Sequence, residues 1–172
     1  MADLAAMLAR RRVSLGFVVA IAALVLARPT WQSWWLGLLV AAAGEAFRVW
    51  AAGHLEKGRE VTRSGPYRWT RHPLYVGSTL IAAGVVIAAR SVGLGILATV
   101  YLAVTLTAAI RTEEAYLRRT FGETYDRYAR SEAEPATRAF SLARARRNRE
   151  YRAVMGLAVG FALLALKILL NL

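Results

Sequence analysis

Five apolar stretches, set apart by arginine-rich segments, dominate this chain and restrict what it can fold into. They run over Val13–Ala27, Trp31–Gly53, Leu74–Ala89, Val92–Ile110 and Tyr151–Leu170. A helix that spans the hydrocarbon of a bilayer needs about 20 residues, with about 17 as the lower end. The first and third stretches therefore need flanking residues to cross. The connections Arg28–Thr30 and Arg90–Ser91 are short enough to force antiparallel helical hairpins. The pattern predicts an all-α membrane protein of about five transmembrane helices, built as a single domain over residues 1–172.

Charge supplies the orientation. The chain carries 23 Lys and Arg against 11 Asp and Glu, a net +12, and 57% of its residues are apolar. A soluble protein with that balance would suggest nucleic acid. Here the basic residues lie between apolar runs, so membrane orientation accounts for them and no nucleic-acid partner is expected. Arg10, Arg11 and Arg12 precede the first stretch, and Lys57, Arg59, Arg63, Arg68 and Arg71 follow the second. Eleven more arginines lie between Arg111 and Arg152, whereas the two hairpin tips hold only Arg28 and Arg90. The positive-inside rule then puts the N-terminus, the long loop and the arginine-rich segment in the cytoplasm and the C-terminus outside. Trp31, Trp34 and Trp35 fit an outer aromatic belt. A cleaved signal peptide ending near Val25–Ala27 is the alternative for the N-terminus, but a second apolar segment follows at once and favours a retained hairpin. The expected location is a bacterial-type cell membrane.

There is no cysteine, which removes disulfides, thiolate catalysis and Cys-based metal sites. With only His54 and His72, no metal site is expected.

The segment "SGPYRWTRHPLYVG" interrupts this apolar pattern with a rigid polar loop. Gly65-Pro66 reads as a turn, and Pro73 stands where a new helix starts, since a first-turn proline loses no intrahelical bond. That helix end offers unpaired N–H groups and a partial positive charge, ringed by Tyr67, His72 and Tyr75. Such a site suits a carboxylate or polar headgroup, with aromatic rings for stacking or cation–π contact. The plainer reading is that Arg68, Trp69 and Arg71 only anchor a helix end at the lipid surface.

A second polar cluster, "RTEEAYLRRTFGETYDRYAR", follows the fourth apolar stretch. Leu117 and Phe121, four apart, predict an amphipathic cytoplasmic helix there, ended or bent at Gly122. Glu113 and Glu114 are adjacent and face different ways: one can point into the bundle while the other meets water or Arg118. The third and fourth helices form a hairpin, so this boundary lies on the same membrane side as Arg71-His72 and the two clusters can meet.

Together, "SGPYRWTRHPLYVG" and "EEAYLRRTFGETYDRY" resemble the C-terminal signature of the isoprenylcysteine carboxyl methyltransferases and their phospholipid N-methyltransferase relatives, over roughly residues 37–130. The resemblance implies S-adenosylmethionine as cofactor, contacted by Glu60, Val61, Thr62, Tyr67, His72, Pro73, Leu74, Tyr75 and Glu113. The acceptor it implies is a small lipophilic molecule taken from the bilayer, so the partners expected are that substrate and membrane lipids, with no protein partner. The residue types suit this chemistry: a carboxylate can take the cofactor's ammonium group, and helix N-terminal amides its carboxylate.

One position departs from the family pattern. The carboxyl methyltransferases carry an arginine one helical turn before the first glutamate of the pair, where this chain has Ala109; Arg111 lies on a different face. Glu45 and Arg48, three residues apart in the second stretch, are further substrate-binding candidates. A carboxylate well inside a spanning helix costs about 2.5–3.5 kcal/mol on insertion scales. Glu45 should therefore pair with Arg48, unless it faces an acceptor cavity and binds a cationic group. Residues 131–172 lie beyond the matched core as a basic linker and final helix. Their lead-in "FSLARARRNREYRA" reads as a positive-inside anchor, with an active-site lid as the alternative. For the whole chain, the competing readings are an NADPH-dependent membrane reductase of the sterol-reductase type and a non-catalytic membrane binding protein.

Overall fold

A computed structural model describes residue 16 and residues 18–171, and all regular structure among them is helical. Helix α1 (18–26) precedes α2 (Trp31–His54), a 3-10 turn (Gly65–Arg68), α3 (Pro73–Ala89), α4 (Val92–Phe121), α5 (Glu123–Ala129), α6 (Leu142–Arg147) and α7 (Tyr151–Leu169). Arg10, Arg11 and Arg12 and the opening of the first apolar stretch lie outside the described residues.

Three of the described helices, α2, α4 and α7, are long and apolar enough to cross a membrane, and α3 is a shorter apolar helix of 17 residues. The expected amphipathic segment after the fourth stretch is not a separate helix. It continues α4 without a break to Phe121, so that α4 has 30 residues. Gly122, at φ +49, then turns the chain into α5, a conformation that L side chains rarely adopt.

Helices α2 and α3 pack along a seam of small residues. Gly37 lies opposite Gly84, and Gly44 opposite Gly77. A Cβ on Gly84 would come within 2.5 Å of the Ala41 nitrogen, and one on Gly44 within 2.8 Å of the Gly77 carbonyl oxygen. In hydrocarbon, helices gain nothing from sequestering apolar surface from water, so close backbone approach and van der Waals contact hold them together. At the short-loop end, Ala23, Ala27, Ala41, Ala88, Ala89, Leu94, Phe161 and Leu164 form the buried core. The Arg28 amide donates to the Ala89 carbonyl at 2.8 Å, locking the two hairpin tips together. Thr30 caps α2 through a reciprocal box with Ser33.

The C-terminal segment is bound to the opposite end of α2. A helix end leaves carbonyls without intrahelical partners. The Ser141 amide and the Arg144 guanidinium both donate to the Gly53 carbonyl, and Asn148 Nδ2 donates to those of Ala52 (2.8 Å) and Leu55 (2.9 Å). Arg144 also pairs with Glu56 at 2.8 Å. The basic lead-in is therefore the C-terminal cap of α2, beyond the plain anchor that its charge suggests. Helix α7 then runs back along α2, where Trp34 Nε1 donates to the Phe161 carbonyl at 2.8 Å.

Candidate functional site

Pro73 begins α3 with His72 as its N-cap. The amides of Tyr75 and Val76 both turn back onto the His72 carbonyl, and Pro73 has no N–H, which leaves the Leu74 amide at the open end of the helix. The His72 and Tyr75 rings stack with centroids 5.6 Å apart. Both reach across to α4. The Tyr75 hydroxyl donates to Glu113 Oε2 at 2.8 Å, and His72 Nε2 lies 3.2 Å from Glu114 Oε1. The two polar clusters of the sequence thus meet at one end of the α3–α4 hairpin. Glu114 pairs with Arg118 as anticipated (3.7 Å), and also with Arg71 at 3.2 Å. The adjacent carboxylates engage different partners, yet both serve the N-terminal turn of α3. His72 Nδ1 is buried and makes no hydrogen bond.

The preceding loop closes over this end. Val61, Thr62, Tyr67 and Pro73 are buried. Thr62 Oγ1 accepts from the Glu56 amide at 3.1 Å, and Tyr128 of α5 donates its hydroxyl to the Tyr67 carbonyl at 2.7 Å. Burial, followed by the nearby Glu113 charge, pushes the Tyr67 hydroxyl well above the usual phenol range, so it stays a donor. Burial likewise pushes the Tyr128 hydroxyl up to about 12. Glu60 pairs with Arg138 at 2.6 Å, a contact from the linker that also has Arg138 donating to the His54 carbonyl. Beside the Gly65 turn, a cleft of about 400 Å³ opens between Trp50, His54, Arg68 and Arg138.

The substrate candidates separate. Arg48 points to the α3 and α7 sides: Nε is 2.6 Å from Glu150 Oε1, and Nη1 donates to Ser78 Oγ at 2.5 Å and to the Leu74 carbonyl at 3.2 Å. Glu45 lies 3.8 Å from Arg48 Nε, and neither of its buried oxygens makes a hydrogen bond. The expected Glu45–Arg48 pair is present, but Glu150 holds the closer position. The Arg111 side chain is exposed on α4 and makes no hydrogen bond or ion pair among the described residues. Sequence reasoning missed Glu150, Ser78, Tyr128 and Arg138. Glu150 alone left a signal, as the single acidic residue between Pro135 and Leu172.

A family model described as phospholipid methyltransferase matches residues 13–124, which take in the first polar cluster and the second up to Thr124. The chain belongs to the phospholipid methyltransferase family. Among curated relatives, this family member is 30% identical over 135 residues to a nickel-cobalt-cadmium resistance protein of Alcaligenes xylosoxydans xylosoxydans, covering 72% of this chain and 63% of that protein. It is also 30% identical over 135 residues to a cobalt-zinc-cadmium resistance protein of Cupriavidus metallidurans, covering 72% of this chain and 62% of that one. A protein-S-isoprenylcysteine O-methyltransferase of Schizosaccharomyces pombe is 33% identical over 86 residues, or 50% of this chain and 36% of that protein. The chain thus spans less than two thirds of the length of these relatives. No solved structure matches it significantly. In this phospholipid methyltransferase family member, no group of three or more His, Asp or Glu among the described residues could hold a metal ion.

Proposed function

We propose that the chain is an S-adenosylmethionine-dependent integral-membrane methyltransferase acting on a small lipophilic acceptor drawn from the bilayer. The observation that carries this reading is the meeting of Tyr75 with Glu113 and His72 with Glu114 at the open N-terminus of α3. The residues fit the cofactor's groups. A buried His72 Nδ1 without a partner, an aromatic stack and a carboxylate lie together there, matching a ligand that carries ammonium, carboxylate, sulfonium and adenine groups.

Glu113 would take the ammonium group, and the Leu74 amide with the helix dipole the carboxylate. Tyr67, His72 and Tyr75 supply ring faces and hydrogen-bonding edges, while Glu60, Val61, Thr62 and Pro73 form the wall behind them. When bound, S-adenosylmethionine supplies an electrophilic methyl group on sulfur. The chain's own contribution is to orient the donor and exclude water, since an in-line displacement gains most from positioning.

On the acceptor side, Ala109 removes the arginine that a carboxylate substrate would use. The Glu45 carboxylate, without a hydrogen bond, supports an amine or other cationic acceptor, with Arg48 and Arg111 as the alternative for a carboxylate. The same reading has five membrane crossings, with the N-terminus and the site on the cytoplasmic side of a bacterial-type cell membrane. Calorimetry on the purified protein with S-adenosylmethionine and with NADPH tests it. Binding of the first supports the methyltransferase. Binding of NADPH alone would point to a reductase, and binding of neither to a non-catalytic protein.

A further inference from the structure

The Arg48 side chain, carried on α2, bonds both to α3 and to Glu150 at the start of α7. Its stem crosses Gly77, where any Cβ would collide with Arg48 Cγ, so the α2–α3 seam is cut to admit it. Its head is shared. Nε meets Glu150 at 2.6 Å, and Nη1 meets Ser78 Oγ at 2.5 Å and the Leu74 carbonyl at 3.2 Å. Ser78 in turn donates to the same Leu74 carbonyl at 2.9 Å. Leu74 directly precedes Tyr75, whose hydroxyl meets Glu113. The Arg48 and Glu150 side chains are only 20% and 7% exposed, so water screens their pairing little. A planar guanidinium fixes the direction of each bond it makes, which a flexible ammonium does not. Glu150 lies beyond the residues that match the family.

We propose that Arg48 and Glu150 are positioning residues for the donor site. The chain from Glu150 through Arg48 to Leu74 and Ser78 sets the pose of the first turn of α3, and with it the meeting of Tyr75 with Glu113 and of His72 with Glu114. The segment after α5 is then a working part of the site as well as the cap of α2. This rests on reading that turn as the place where the methyl donor binds.

The test uses the full-length protein in lipid nanodiscs, as wild type and as Glu150→Gln, Glu150→Asp and Ser78→Ala. Three quantities are measured: S-adenosylmethionine affinity by calorimetry, the thermal midpoint, and hydrogen–deuterium exchange in peptides covering residues 70–80. Glu150→Gln should weaken binding about tenfold, the loss expected for a charge-assisted hydrogen bond, and Glu150→Asp should recover most of it. Ser78→Ala leaves the Arg48–Glu150 pair in place, so it should weaken binding several-fold at an unchanged midpoint. Exchange across residues 70–80 should quicken in both weakened variants. Wild-type affinity in Glu150→Gln and Ser78→Ala overturns the proposal, as does a loss of affinity that appears only where the midpoint falls. If the wild type binds no S-adenosylmethionine, the donor-site reading fails, and exchange alone judges the tether: unchanged rates in both variants refute it.

Discussion

The Tyr75 hydroxyl donates to Glu113 Oε2 at 2.8 Å, joining the first turn of α3 to a carboxylate 38 residues further along the chain. Neither residue stands out alone; in the proposed donor site, their contact would make this helix end a place for a zwitterionic ligand. Glu113→Gln and His72→Ala should therefore weaken S-adenosylmethionine binding while leaving the fold intact. Losing a hydrogen bond to a charged group costs about 1.5–3 kcal/mol, or roughly one to two decades in affinity. Calorimetry on the two variants decides, and wild-type affinity in both would remove these residues from the site.

Glu45 and Glu150 face a single guanidinium, Arg48, and only Glu150 is within hydrogen-bonding distance of it. Glu45→Gln should raise the thermal midpoint, because it removes a buried carboxylate that nothing hydrogen-bonds. Glu150→Gln should lower it, with a loss of stability of about 3 kcal/mol or more, as expected when a buried pair loses one partner. If Glu45 also binds a cationic acceptor, Glu45→Gln should lose methyl transfer to an aminophospholipid despite its greater stability. Transfer to a prenylcysteine analogue alone, unchanged in Glu45→Gln, would leave carboxyl chemistry standing.

The Gly37–Gly84 and Gly44–Gly77 contacts leave no room for a methyl group. Gly84→Ala should destabilise the protein by about 1–3 kcal/mol, the usual cost of overpacking. Gly160→Ala, where a Cβ would meet nothing, provides the control in the same thermal unfolding experiment.

The Arg144 guanidinium beside Glu56 holds its carboxyl below the usual value of 4.5, the hydrogen bond being the largest cause. A lowered carboxylate stabilises the fold above its unfolded pKa, and that contribution fades as pH falls below 4.5 toward the folded value. Attachment of α6 to the end of α2 should loosen over that window. Amide exchange across residues 141–150 should quicken on acidification after correction for intrinsic rates, and less so in Glu56→Gln.

Arginine placement predicts that reporter fusions at Arg90 and at the C-terminus report the external side of the membrane. A cytoplasmic signal at either position would break the five-crossing map.

Much of the helical plan could be read locally. The ends of α2, α3 and α4 fall within a residue or two of the apolar stretches, except where α4 runs on to Phe121. Pro73 and Gly65-Pro66 marked the start of α3 and the 3-10 turn because proline acts through its own ring geometry. The Gly122 break was legible because glycine, without a Cβ, takes a positive φ at no steric cost. The amphipathic stretch Arg111–Phe121 misled as a separate element, since nothing between Ile110 and Arg111 interrupts helical hydrogen bonding.

Sequence alone determined that the chain is helical and rich in bilayer-length segments, and it paired RHPLY with EE as two halves of one family pattern. These follow from hydropathy, backbone geometry and a family pattern, all carried by neighbouring residues. Tertiary structure decided which partner each charge takes. Arg48 had an obvious partner three residues away in Glu45, yet its shortest ion pair is with Glu150, 102 residues on. A guanidinium inside a bundle settles where several acceptors converge, and only the packing of α2 against α3 and α7 brings Glu150, Ser78 and the Leu74 carbonyl to one point.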